Sequence, residues 1–458
     1  MRSEPGVIEG GGSLTRAGLK AGSGGFGKTD LADADRALGG IHNLELAGVS
    51  QWRRLRWLAV LAAFGPGLMV MLADTDAGSV VTAAQSGARW GYTLLPLQLL
   101  LIPVLYLVME LTARLGITTG KGHAQLIKET FGRPWATVAV LTLLASSTGA
   151  LVTEFAGLAG VGTMVGLSPD LTVPASAVFL GLVVVSGSYR RVERIGVALG
   201  LFELAFLVAA LRAHAGVGTL LRSVWSSQPL GNSSYTWLVA ANVGAVIMPW
   251  MIFYQQAAIV DKGLGPADLR SERADTAVGA VLTQAIMIAV LVATGATLYH
   301  HHSGAFDSVP AISAALVPYL GQAGGRLAFA LGMAGASLVA AIVISLAAAW
   351  AFAELTGVPG SLNRRASQEP VFYGVYFASL AVAGALVLAS SSLVHLAVAV
   401  EVLNAVLLPI VLGFLLALAR KALPEGYRLG RLQGLATLAV AAAVVILSLF
   451  LAARALGL

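Results

Sequence analysis

The chain has 458 residues, 57% hydrophobic and only 11% charged, with no cysteine and a formal net charge of +6. A soluble domain carries about 25% charged residues, so this composition excludes one and points to a protein that lives in a bilayer. The absence of cysteine excludes disulfides and thiolate metal ligands, and leaves the redox compartment unreadable.

The first stretch, "EGGGSLTRAGLKAGSGGFGKTD", is rich in Gly, Ser and Thr and has no apolar face, so residues 1–52 are expected to form a flexible cytoplasmic tail ahead of a transmembrane domain, 53–458. It lacks the apolar core of a signal peptide, and the first hydrophobic segment is therefore expected to be a true span. Beyond it, apolar segments long enough to cross about 30 Å of hydrocarbon as a helix recur. Eleven are expected, at approximately 57–88, 92–113, 136–166, 172–188, 194–211, 236–260, 277–299, 326–354, 371–389, 393–419 and 432–456. The fold class is all-α membrane protein. Basic residues set its orientation. One set of loops holds clusters such as Arg190, Arg191 and Arg194, or Arg420, Lys421, Arg428 and Arg431, whereas the other holds only Arg89, Arg212, Arg222 and Arg326. The positive-inside rule then places the N-terminus in the cytoplasm and the C-terminus outside. Topology accounts for the net charge, and no nucleic-acid partner is implied.

The first span reads "MVMLADTDAGSVVTAAQ" and puts Asp74 and Asp76 among apolar and small residues. Acids inside a membrane usually face a cavity, a partner or an ion path. On a continuous helix, positions i and i+2 point roughly 200° apart, so both can address one site only if the helix unwinds there. Gly78 is expected to supply the backbone freedom, and Thr75 and Ser79 to offer hydroxyls to the freed amides. The sixth span, "AANVGAVIMPWMIFYQQAAIV", carries Gly244 and Pro249, and is expected to break around Ala245 to Met248. Interruptions in matching spans of two halves are a sequence signature of a transporter's central site. They suggest a 5+5 inverted repeat, about 57–211 and 236–419, with an extra helix at 432–456.

The stretch "FGPGLMVMLADTDAGSVVTAAQSGARWGY" resembles the first helix of the Nramp divalent-metal transporters, whose motif there is Asp-Pro-Gly-Asn. Counting from the shared Gly-Pro-Gly to the shared Gly-Tyr needs no gap and lays that motif over Asp76 to Ser79. Similarity continues through "ARLGITTGKGHAQLIKETFG", "TEFAGLAGVG", "RRVERI", "GAVIMPW" and "VLNAVLLPIVLGFLLAL". The resemblance implies a LeuT-like fold with broken helices 1 and 6, alternating access and a divalent cation as cargo. It also implies metal ligation by Asp76, by Ser79 in place of the family Asn, by the Ala245 carbonyl and by the Met248 thioether. Trp250 stands where the family has a His, and Gly157 where it has a Glu, so both groups of the family's proton route are missing. Asp74 is an extra acid. These departures resemble the Nramp-related magnesium transporter branch, in which proton coupling is thought to be lost.

Asp74 is expected to add a second negative charge to the site, directly or through water, since Mg²⁺ keeps its waters and commonly binds through one or two carboxylates. Glu154 is expected to accept hydrogen bonds from a hydrated ion, unless it is a neutral acid in a buried hydrogen bond. Glu401 and Asn404, at i and i+3, share a helix face and are expected to line the path. Met248 argues for softer ions such as Mn²⁺ or Fe²⁺, or else fills space beside a wider site. Glu110, Glu203 and Glu354 are expected to be structural, and His300, His301 and His302, with Asp307 nearby, to be a solvated loop. The expected function is uptake of Mg²⁺ and Mn²⁺ without proton coupling by a non-enzymatic, cofactor-free protein of the cell membrane, most simply a monomer. The alternatives are a proton-coupled Mn²⁺/Fe²⁺ transporter and an amino-acid transporter of the same fold. An amino-acid carboxylate would be repelled by Asp74 and Asp76. An intramembrane aspartyl protease would need its acids on separate helices.

Overall fold

The computed structural model describes residues 65–213, 215–299, 309–314, 317–389 and 393–455. The expected tail, the beginning of the first span and the His300–His302 run with Asp307 lie outside them. Every regular element described is helical.

Proline and glycine punctuate the chain. Pro66 opens α1 (Pro66–Asp74), which stops at Thr75, and α2 (Ala77–Trp90) starts again with Asp76 as its N-cap. Helix α3 (Leu95–Thr119) ends on Gly120 at φ 64°, a left-handed conformation that a residue without Cβ adopts freely. The short α4 (His123–Phe131) leads into α5 (Arg133–Met164), followed by α6 (Pro169–Val185). Helices α7 (Tyr189–Gly200) and α8 (Leu204–Arg212) are joined by a tight 3₁₀ turn, Leu201–Glu203. After α9 (Val217–Val224) comes the second broken pair, α10 (Ser233–Val246) and α11 (Pro249–Lys262), with Ile247 and Met248 extended between them. The remaining elements are α12 (Leu269–Leu298), α13 (Val309–Ser313), α14 (Val317–Thr356), α15 (Pro370–Leu388), α16 (Leu393–Lys421) and α17 (Arg431–Ala455).

Eight continuous or nearly continuous segments are long and apolar enough to cross a membrane, and α6 and the Arg431–Leu447 part of α17 supply shorter apolar stretches. With the broken pair α1–α2, this is compatible with eleven spans. Burial separates centre from periphery. In α10–α11, 89% of the most apolar stretch is buried, against 28% for α7–α8, so the broken pair runs through the middle while α7–α8 shows most of its surface to lipid. Helix α12 packs along α1, α2 and α3; α14 packs on α5, and α10 on α16. The two interruptions are thereby enclosed by α5, α12, α14 and α16.

Candidate functional site

At the first interruption the chain leaves the helix for only two residues. Thr75 (φ −79°, ψ 40°) ends α1, and Asp76 (φ −63°, ψ 174°) begins α2. Asp76 Oδ1 accepts the Ser79 amide at 2.7 Å, a side-chain cap of a free helix N-terminus. Its Oδ2 is buried with no partner. Glu154, from α5, accepts the Ala77 amide at 3.1 Å on Oε2 and the Thr153 hydroxyl at 3.3 Å on Oε1. The freed amides are therefore taken by carboxylates. The hydroxyls expected to serve them turn elsewhere: Ser79 Oγ donates to the Ala245 carbonyl at 2.9 Å, and Thr75 Oγ1 to the Leu72 carbonyl at 2.8 Å. The Ser79–Ala245 bond ties the first turn of α2 to the last turn of α10, so the two broken helices meet at the interruption.

The second interruption falls at Ile247–Met248, within the expected window. Pro249 opens α11, and the Met248 amide donates to Met251 Sδ at 3.5 Å. Met248 and Trp250 are fully buried, the indole N–H of Trp250 without a partner. Glu401 and Asn404 do share a face of α16: Asn404 Nδ2 donates to Glu401 Oε2 at 3.1 Å, while Glu401 Oε1 has no partner. A Cβ on Gly78 would overlap Glu401 Oε1. Gly78 thus acts by leaving room for this carboxyl. Its place inside α2 corrects the expectation that its backbone freedom makes the break. Likewise Gly157 is a close approach, where a Cβ would lie 2.7 Å from Ala77 Cβ and 2.8 Å from Ser337 Oγ.

Asp74, the last residue of α1, accepts a long bond from Thr283 Oγ1 at 3.5 Å and leaves Oδ1 unpartnered. Asp74, Glu154 and Glu401 all lie near enough to Asp76 to feel its charge. Among the described residues no group of three or more His, Asp or Glu side chains is arranged as a metal cluster. The donors gathered at the interruption are instead mixed: the free Asp76 oxygen, the Ser79 hydroxyl, the Ala245 carbonyl and, around them, unpartnered oxygens of Asp74 and Glu401. An all-oxygen set with anionic members suits a hard dication that keeps part of its water.

Sequence reasoning places Glu203 among the structural acids and does not foresee its contact at the interruption. It is fully buried in the 3₁₀ turn and contacts Thr75 at the interruption. Its signal was available: a single acid inside "LGLFELAFLVAAL". Glu110 does have a structural setting, bound by Arg114 at 2.7 Å and Arg273 at 2.7 Å and by Gln433 Nε2 at 2.8 Å. Glu354 accepts the Gln125 amide at 3.1 Å and holds α4 in place.

A family model described as Nramp, natural resistance-associated macrophage protein-like, matches residues 67–454. The divalent metal cation transporter MntH of Verminephrobacter eiseniae is 29% identical over 278 residues, 57% of this chain and 61% of the relative. MntH of Pediococcus pentosaceus is 29% identical over 201 residues, 42% of this chain and 44% of the relative. For MntH of Pectobacterium carotovorum the figures are 30% over 300 residues, 63% and 71%. The chain thus spans less than two thirds of the length of the first two. In structure, it is similar to the manganese transporter of Eremococcus coleocola in complex with an aromatic bis-isothiourea substituted compound, with a TM-score of 0.71 and 18% identity over 86% of each chain. A Na⁺-coupled sialic acid symporter superposes with a TM-score of 0.56 and 14% identity over 84% of this chain and 88% of its own. These structural likenesses establish an all-helical, LeuT-like fold. The family match runs from the first turn of α1 to the end of α17, and the chain belongs to the Nramp family.

Proposed function

We propose that this protein is a secondary transporter of divalent metal ions that works by alternating access and carries Mg²⁺, still partly hydrated, and Mn²⁺ into the cell without proton coupling. The observation that carries the reading is the buried, unpartnered Asp76 Oδ2 between the two broken helices, beside the Ser79–Ala245 bond. A cation there would take Asp76, Ser79 and the Ala245 carbonyl as ligands. Asp74 and Glu154 would accept from its waters, and Met248 stands at the second interruption. Glu401 and Asn404 would line the path. The protein is then no enzyme and needs no cofactor, and its cargo is a substrate. It sits in the cell membrane with its N-terminus in the cytoplasm and its C-terminus outside, as a monomer.

Two features support uncoupled movement. An indole carries no titratable nitrogen, so Trp250 cannot shuttle a proton near neutral pH as a histidine can. At Gly157 the contact with Ala77 and Ser337 leaves no room for a relay glutamate. One observation favours the rival, proton-coupled Mn²⁺/Fe²⁺ transport: the soft sulfur of Met248. Purified protein in proteoliposomes, offered Mg²⁺ and Mn²⁺ in parallel with internal pH recorded, should take up both ions with no more acidification than empty liposomes show. Metal-driven acidification would establish the rival reading. Asp76→Ala should abolish uptake of both ions, and wild-type uptake by that variant would end the assignment of Asp76.

A further inference from the structure

Helices α1 and α7 meet along a ladder of close approaches. A Cβ on Gly196 would lie 2.6 Å from Met69 Cε, and one on Gly200 2.8 Å from Leu72 Cδ1. The next rung is polar. Glu203 Oε2 contacts Oγ1 of Thr75, the residue between Asp74 and Asp76.

Thr75 has one hydroxyl proton and two acceptors within reach of Oγ1, the Leu72 carbonyl at 2.8 Å and Glu203 Oε2, so it can serve only one of them. With that proton on the Leu72 carbonyl, Oγ1 presents a lone pair to Glu203. Two oxygens held in contact need a proton between them, and in that arrangement the carboxyl supplies it. The rest of the setting agrees. Glu203 Oε1 is buried without a partner, which is tolerable for the carbonyl oxygen of a neutral carboxyl and costly for a carboxylate. The charged groups that act on it are acids from α1 and the α2 cap, Asp74 and Asp76. No charged neighbour of opposite sign acts on it among the described residues.

We propose that Glu203 is a positioning residue for transport: a carboxyl that keeps its proton, donates it to Thr75 Oγ1, and thereby fixes the directions in which Asp74 and Asp76 leave the unwound turn. This rests on the reading of Asp76 as a ligand of the cargo. Glu203 does not touch the ion and does not release a proton during the cycle. A neutral donor of the same length replaces it, so glutamine should serve. Leucine, which fills the space without donating, should not. Thr75→Val removes the acceptor from the other side and should behave like Glu203→Leu.

The test compares wild type, Glu203→Gln, Glu203→Leu and Thr75→Val in proteoliposomes, with Mn²⁺ as the probe. Maximal rate and half-saturation are read separately, and amide hydrogen exchange is followed across residues 72–79. Glu203→Gln is expected within about threefold of wild type, with a superimposable rate profile between roughly pH 6 and 8. Glu203→Leu and Thr75→Val are expected to lose about tenfold or more in maximal rate, in line with one lost hydrogen bond. Their amides at the interruption should exchange faster, and those of Glu203→Gln should not. A glutamine variant as slow as the leucine one, or one with a shifted pH profile, would make Glu203 a charge or proton carrier and overturn the proposal. Wild-type rates in Glu203→Leu would overturn it too. Should the wild type carry neither Mn²⁺ nor Mg²⁺, the transport reading falls, while hydrogen exchange still decides whether Glu203 fixes the turn.

Discussion

Asp76 divides its carboxylate, one oxygen capping α2 through the Ser79 amide and the other left bare in a buried interior. Loss of a cap costs about 1 kcal/mol of stability, whereas loss of an anionic ligand costs affinity. Substitution can separate them. Asp76→Asn keeps an oxygen for the Ser79 amide and loses the charge, and should lower metal uptake by at least about tenfold with little change in the melting temperature of the detergent-solubilised protein. Asp76→Ala should lose both. If Asp76→Asn transported like wild type, capping would be the residue's main task. The position of Asp76 was legible in the sequence because two acids in an apolar run have few tolerable settings. The partners were not legible. One carboxylate from α5, far along the chain, and the cap Asp76 take the amides that local hydroxyls were expected to take, and Gly78 serves a glutamate more than three hundred residues away. Those distances in sequence hide the contacts.

Among the helices, the broken pair α10–α11 shows how a local signal and a distant one divide the work. Pro249 lacks an amide hydrogen and stands three residues after the end of α10, so its effect can be read from the sequence alone. Gly244 was read with it as a second breaker, but it lies inside α10, where a Cβ would overlap the Glu401 carbonyl and sit 2.8 Å from the Ala405 amide. It is the residue that lets α10 and α16 touch backbone to backbone. Gly244→Ala must push α16 aside and should cost about 1–3 kcal/mol, read as a lower melting temperature and reduced uptake together. An unchanged melting temperature would show that the helices have slack there. Outside the spans, α4 docks through His123, whose Nδ1 meets Gln256 Oε1 at 2.8 Å and whose ring packs edge-on against Phe253. Burial pushes this imidazole down from its ordinary 6.5 to about 4. The unfolded chain then binds more protons between those values, so stability is full above about pH 6.5 and falls as pH drops toward 4. His123→Gln should flatten that part of the melting-temperature profile, and a profile as steep as wild type would assign the acid sensitivity to other groups.

For the molecule as a whole, composition and period settle the class, because hydrocarbon allows few alternatives to a helix. What they leave open, under the proposed transport function, is the ion, since selectivity would depend on how much of the hydration shell the closed protein lets the cargo keep. Stripping Mg²⁺ is expensive, so a site that carries it should be oxygen-lined and content with bound water. Ser79 is smaller than the family Asn and its hydroxyl is already turned to Ala245. Asp74 and Glu401 hold unpartnered oxygens nearby that water can bridge. Met248 carries sulfur, and its fully buried side chain also fills space beside the second interruption. Oxygen acceptors outnumber sulfur, which favours transport of Mg²⁺ together with Mn²⁺, an ion of the same charge and similar coordination. Contacts made through water discriminate little, so the two should compete. Uptake of Mn²⁺ should therefore fall as external Mg²⁺ rises into the millimolar range, on the order expected of weak Mg²⁺ sites, and Mg²⁺ itself should enter. Met248→Ala should leave Mg²⁺ uptake intact and narrow any preference for Mn²⁺. If excess Mg²⁺ leaves the Mn²⁺ flux unchanged and none enters, the site selects transition metals. The thioether would then outweigh the surrounding oxygens, because a desolvated ion feels its nearest donor more than a ring of waters.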